Sequence, residues 1–210
     1  MQEQDVQLLA EVITRDIAPL PPADLPAIRE RPPVRIVHCV MSLNRRYSVF
    51  HPRVQEFSAA QTAIQSCDDL LATMERVGTA NFLSTMLRTN DPTRAETLLG
   101  VTRFAIAVRD RQQGGTEAER LTNWAAVARP GDYVEVGVKG FGPAGFQYLR
   151  MLFGADTVKP DVHIINFVSQ ALNRRVDGIQ SVFLLERASQ RLGLSARGID
   201  GRIWERSARR

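Results

Sequence analysis

The chain has 210 residues, 44% of them hydrophobic, which suits one compact domain or two small lobes sharing a core. Lys+Arg 27 against Asp+Glu 23 leaves a net charge of +4, so the basic pI near 9.6 is compatible with a polyanionic partner without requiring one. No apolar run approaches the roughly 20 residues that span a bilayer, and no signal peptide is read, so no membrane partner is expected and the location expected is cytoplasmic.

Residues 1–16 place Val6, Leu8, Leu9, Val12 and Ile13 at helical spacing, the pattern of an amphipathic helix that docks on something. Residues 18–33 hold Pro21, Pro22, Pro26, Pro32 and Pro33, so 1–33 reads as an N-terminal helix and a proline-rich strap, with the main domain over 34–210. The run Val34–Leu43 is continuously apolar and its β-branched residues favour a strand. Asn44, Arg45, Arg46 and Tyr47 follow it. An aromatic ring beside two guanidiniums suits phosphate contact and base stacking, and equally a helix end with an exposed basic pair. Cys39 and Cys67 have no metal-ligand spacing and read as buried thiols in a reducing compartment.

Phe50-His51-Pro52 reads as a turn, and Ser58-Ala59-Ala60-Gln61 as a capping box opening a helix through Ile64, Cys67, Leu71 and Met74 to Val77. Gly78 stops it. Further helices are expected over 80–88, from Pro92 to about Gln112, and after a Thr116 cap, all of them core. Residues 132–138 alternate like a strand. Val138-Lys139-Gly140-Phe141-Gly142-Pro143 is a tight glycine turn, and Pro143 can open a helix carrying Leu149, Leu152 and Phe153 until Gly154 stops it.

Pro160-Asp161 leads into a second helix with Ile164, Ile165, Val168 and Leu172 inward, followed by helices over 182–192 and around Ile203 and Trp204, the latter expected to pack on the core. Beyond residue 170, Arg174, Arg175, Arg187, Arg191, Arg197, Arg202, Arg206, Arg209 and Arg210 face few acids in sequence. That is the pattern of a polyanion contact or of a solvated helical surface. Taken singly, the Gly-x-Gly is an ordinary turn and Asp161 an N-cap.

Taken together, Val138-Lys139-Gly140-Phe141-Gly142, then Gly154, then Pro160-Asp161-Val162-His163 resemble the helix-hairpin-helix DNA glycosylases over residues 136–170. The resemblance implies an all-α, two-lobed helical bundle, a helix-hairpin-helix over 132–153, and a DNA-binding cleft between the lobes. It implies double-stranded DNA as partner, a nucleoid-associated location, and base excision repair as the activity.

Gly140, Gly142 and Gly145 would hold a phosphate through backbone N–H groups, directly or through a monovalent cation, beside Lys139. Asn44 would meet the opened duplex, with Arg45 and Arg46 on its backbone. Asp161 would be the catalytic carboxylate facing the cationic sugar, and His163 would support its loop. Tyr47, Phe50, His51, Phe146 and Tyr148 are the candidates for a base pocket. The resemblance implies no further cofactor and no catalytic metal, and two cysteines cannot make the four-cysteine cluster of some relatives.

The lysine that cuts the strand in some members is expected at Ala144 or Gly145 and is missing, so base removal without strong strand cleavage is expected. Lys139 and Lys159 lie close enough to substitute for it but read more simply as phosphate contacts. The same motif without catalysis would make a helix-hairpin-helix DNA-binding protein.

Overall fold

The computed structural model describes residues 3–17, 19 and 30–208, and every regular element among them is helical. The first half comprises α1 (Glu3–Asp16), α2 (Pro32–Ser42), α3 (Tyr47–Ala60), α4 (Cys67–Val77), α5 (Thr79–Met86) and α6 (Pro92–Asp110). The second comprises α7 (Glu117–Val127), a 3-10 helix (Pro130–Val136), α8 (Pro143–Leu152), α9 (Val162–Ala171), α10 (Gly178–Leu192) and α11 (Ala196–Ala208). No described helix is long and apolar enough to cross a membrane.

Two hydrophobic clusters organise these helices. One is built from α2 to α8, between Val34 and Ala155. The other joins α1 to the chain from Val158 to Ile203, with α1 lying mainly on α10. Helix α1 is therefore part of the second core: Val6, Leu9, Ala10 and Ile13 are buried, with Glu3 and Asp5 at the positive end of the helix dipole. Of the proposed strap, residues 18 and 20–29 lie outside the described residues, while Pro32 and Pro33 open α2. A missing N–H costs nothing in a first helical turn.

Helix α2 overturns its strand propensity. Every residue of it except His38 is buried, against α3, α6 and α8. A segment apolar on all sides and enclosed by helices must bond its own backbone, and a helix does so without a partner strand. Arg94 of α6 closes its end by donating to the carbonyls of Val40 and Leu43.

Three local expectations are corrected. Phe50-His51-Pro52 is no turn but lies within α3, because Phe50, Val54 and Phe57 bury one face at helical spacing and carry the helix through Pro52. Ser58–Gln61 ends that helix instead of opening the next. The capping box belongs to Ser66 and Asp69, whose side chains and backbone N–H groups bond reciprocally at 3.1 and 2.8 Å. Residues 132–138 have no strand to pair with among the described residues, and Pro130–Val136 coils as 3-10 turns with Asp132 accepting from the Arg129 N–H at 2.7 Å.

Two further expectations fail on tertiary grounds. Trp204 is 42% exposed, because Ile199 and Ile203 fill the inner face of α11. The C-terminal arginines do meet acids, those of α1: Arg174 donates to Asp5 at 2.8 Å and Arg191 to Glu3 at 2.9 Å, with Arg187 3.6 Å from Glu3. Three of the nine arginines, Arg174, Arg187 and Arg191, thus hold α1 in place.

The chain passes between the clusters after Gly154, whose φ of 98° stops α8. A buried polar relay fastens this crossing. Arg150 donates to Gln147 Oε1 (2.8 Å), Gln147 Nε2 to Thr157 Oγ1 (2.6 Å), and Thr157 Oγ1 to Glu186 Oε1 of α10 (2.6 Å). Asp156 accepts from the Ser195 hydroxyl at 2.7 Å and from the Arg197 N–H at 2.9 Å, capping α11. Replacing Thr157 by Val strands the buried Gln147 and the half-buried Glu186, so Thr157→Val should cost about 1–3 kcal/mol in urea unfolding while Thr157→Ser stays near wild type.

Candidate functional site

The glycine turn is seated on α6. Gly100 leaves room for Val138, whose methyl a Cβ there would strike, and Thr97 Oγ1 donates to the Lys139 carbonyl at 3.5 Å. The Val138 carbonyl accepts from the Phe141 N–H at 3.1 Å, with Gly140 (φ 85°) at the turn position that requires positive φ. Gly140 and Lys139 are exposed and Gly142 half-buried at the start of α8. Gly145 differs from the expected anchor role: it is buried, a Cβ there would stand 2.9 Å from the Phe141 ring, and its carbonyl accepts the Cys39 thiol at 3.3 Å. Its glycine lets α8 close on α2.

Asp161 caps α9, with Oδ1 accepting from the N–H groups of His163 (2.9 Å) and Ile164 (3.2 Å). The carboxyl is half-buried, and Oδ2 makes no hydrogen bond among the described residues. Two residues earlier, the Lys159 N–H donates to Asp200 Oδ2 of α11 at 2.8 Å. The Lys159 ammonium crosses to the other cluster, 4.3 Å above the Tyr148 ring of α8 and 3.5 Å from Ser42 Oγ at the end of α2. The segment 159–161 thus touches α2, α8, α9 and α11 within three residues. Burial, with the Asp161 charge adding to it, pushes the Asp200 carboxyl up to about 7 against the opposing Lys159 N–H bond.

Beside Lys159 lies an aromatic and imidazole cluster. Tyr47 stacks on His51 at 4.3 Å, and His38 stands 5.3, 5.7 and 5.9 Å from Phe50, His51 and Tyr148. Trp204 meets Tyr47 edge-on at 5.9 Å. His38 Nε2 and His51 Nδ1 are buried and find no hydrogen-bond partner among the described residues. Burial lowers the His38 pKa to about 4, with His51 and the Lys159 ammonium acting in the same direction, so the ring is neutral at pH 7. Two buried, unpartnered imidazole nitrogens thus lie within a ring cluster whose Tyr47 and Trp204 members are exposed, beside the Lys159 ammonium.

Of the residues expected in a base pocket, Tyr47, Phe50, His51 and Tyr148 come together here. Phe146 does not: it is fully buried against Phe104 and Trp124 in the first cluster, because it lies on the opposite side of α8 from Tyr148. Asn44 is exposed with φ 51°, and Arg46 is exposed, as a contact to a partner requires. Arg45 is turned inward, donating to Thr89 Oγ1 at 3.0 Å and lying 3.7 Å from Asp91. His163 faces a separate hollow of 370 Å³ with Arg15, Asn166, Phe167 and Arg206.

Sequence reasoning passed over His38, Ser42, Asp200 and the pocket role of Lys159. Only His38 left a trace, as the lone ionisable group between the apolar residues Ile36-Val37 and Cys39-Val40-Met41.

Asp200 also sets a pH dependence. Between its ordinary value of 3.8 and about 7 the folded protein keeps a proton that the unfolded chain has released, so this group makes stability fall as pH rises through that window. Asp200→Asn should flatten that part of the slope of unfolding free energy against pH, measured by urea titration at a series of pH values.

No curated protein and no solved structure matches the chain. Residues 29–208 match the family model described as Domain of unknown function (DUF8548), which takes in α2 through α11 and hence the whole cluster around Lys159 and Asp161. The chain belongs to that family.

Proposed function

We propose that the protein is a monofunctional DNA glycosylase, a divergent relative of the helix-hairpin-helix enzymes, acting on a base flipped out of duplex DNA. In this reading the two hydrophobic clusters are the two lobes and DNA lies across the cleft between them. The 3-10 helix, the glycine turn and α8 form the hairpin. Gly140 and Gly142 hold a strand phosphate, directly or through a monovalent cation, with Lys139 and Arg46 adding positive charge.

The observation that carries the reading is the convergence of one carboxylate and one aromatic and imidazole cluster on the crossing segment. Asp161 keeps an unbonded oxygen beside Lys159, whose ammonium lies on Tyr148 in the aromatic and imidazole cluster. Removing a base from deoxyribose builds positive charge on the sugar, and an ionised carboxylate held by a helix N-terminus stabilises that charge without reorganising. Flipping would expose the base to stacking on the exposed Tyr47 and Trp204 rings. With Ala144 and Gly145 where a strand-cleaving lysine would stand, the expected product is an abasic site.

Asparagine caps a helix as well as aspartate does, so Asp161→Asn isolates the charge from the fold. Abasic-site formation on a panel of duplexes with modified bases should fall about 10²–10³-fold in this variant, with duplex affinity unchanged. Binding without base release by the wild-type protein on every duplex sinks the enzyme and leaves a DNA-binding protein.

A further inference from the structure

We infer that the hollow between α1, α9 and α11 binds a small organic monocarboxylate with an apolar body. The inference is independent of the glycosylase reading, because the hollow shares no residue with the ring cluster, the crossing segment or the glycine turn.

Helix α9 buries Ile164 and Val168 in the second cluster. A second stripe, His163, Asn166, Phe167 and Gln170, falls at spacings of three and four and lines the hollow of 370 Å³ with the C-terminal ends of α1 and α11. A seam between packed helices is ordinarily closed by apolar side chains. Here three of the four residues are polar, and the side chains of His163, Asn166 and Gln170 make no hydrogen bond among the described residues. The volume falls at the small end of the range for ligand pockets.

Charge selects the ligand. Arg15 of α1 and Arg206 of α11 line the hollow together with Asp16. Asp16 is held by Arg15 through two bonds, at 2.8 and 3.1 Å. Arg206 donates to the Asp16 carbonyl, which leaves most of its guanidinium donors unspent. Two cations against one carboxylate leave a single positive charge to be matched, and a guanidinium fork fits the two oxygens of a carboxylate. A dianion would bring its second charge against Asp16. The walls select the body: Val12 and Ile203 are buried and Phe167 and Ala171 half-buried, an apolar lining below the polar rim. The negative end of the α1 dipole draws cations, which accounts for the guanidiniums but not for three unpartnered polar side chains on α9.

The test follows the imidazole resonances of the three histidines by NMR at fixed pH, the His163 signals being assigned from their loss in His163→Gln. Phenylacetate is the probe, and phenylacetamide is its neutral counterpart of the same shape. Phenylacetate should shift the His163 signals saturably at millimolar concentration. Phenylacetamide should bind about tenfold more weakly, the difference that one charge-assisted hydrogen bond makes. Arg206→Gln should weaken phenylacetate binding about tenfold and leave phenylacetamide unchanged. Glutamine can still donate to the Asp16 carbonyl, so the fold should persist, which far-UV circular dichroism checks. Asp16→Asn removes the competing anion and should tighten phenylacetate binding. No saturable shift at His163, equal affinity for carboxylate and amide, or unchanged affinity in Arg206→Gln overturns the inference. So does a shift confined to His38 or His51, which places the ligand elsewhere.

Discussion

The hydroxyl of Thr157 is a buried point at which the two halves of the molecule are joined. It accepts from Gln147 on one side and donates to Glu186 on the other, each at 2.6 Å, in the middle of a segment that leaves one hydrophobic cluster and enters the next. A connection running through the interior cannot leave its polar groups dry, and the crossing is fastened at Asp156, Thr157 and Lys159. Asp156 holds the start of α11, and Asp200 of α11 holds the Lys159 N–H. Helix α11 is thereby tied to the crossing twice, one turn apart, while α8 and α10 hold the Thr157 side chain between them.

That fastening is what makes a site possible. Because the backbone at Lys159 is held from the second cluster, its ammonium projects onto Tyr148 and Ser42 of the first, and Asp161 follows at the mouth of α9. The cost falls on Asp200, a buried carboxyl whose proton is held up to about 7. A strained ionisation state beside half-exposed aromatic rings, at the meeting of two cores, is an arrangement that stability alone does not favour. By contrast the buried Arg109, bonded to Asp68, Asp110 and Glu117, ties α6 to α4 and α7.

Helix α2 is the other element on which the site depends. It runs through the first cluster with all but one residue buried, and the exception, His38, faces Phe50, His51 and Tyr148. The glycines at 100 and 145 serve the same end by close packing. One seats the turn at Val138 on α6, and the other lets α8 approach Phe141, Leu43 and Cys39. The glycine turn, α8 and the rings of α3 are therefore held relative to one another through α2.

What the sequence alone determined is what is encoded within a few residues. Thr116 with Glu119, Asp161 before α9, and the positive-φ glycines 78, 154 and 193 mark helix ends by contacts three or four positions apart, and the periodicity of α1, α6 and α10 marks their inner faces. The all-helical class came instead from the resemblance, against two stretches that read as strands, and the same resemblance named Tyr47, Phe50, His51 and Tyr148 together. Tertiary structure decided the rest. It made a helix of Val34–Met41 because enclosure by other helices outweighs β propensity, and it sent the C-terminal arginines to acids more than 150 positions away on α1. It also brought His38, Ser42, Lys159 and Asp200 to one place. Their proximity comes from how two cores dock, and docking is set by the shape and burial of whole helices, which leave no local pattern in the chain.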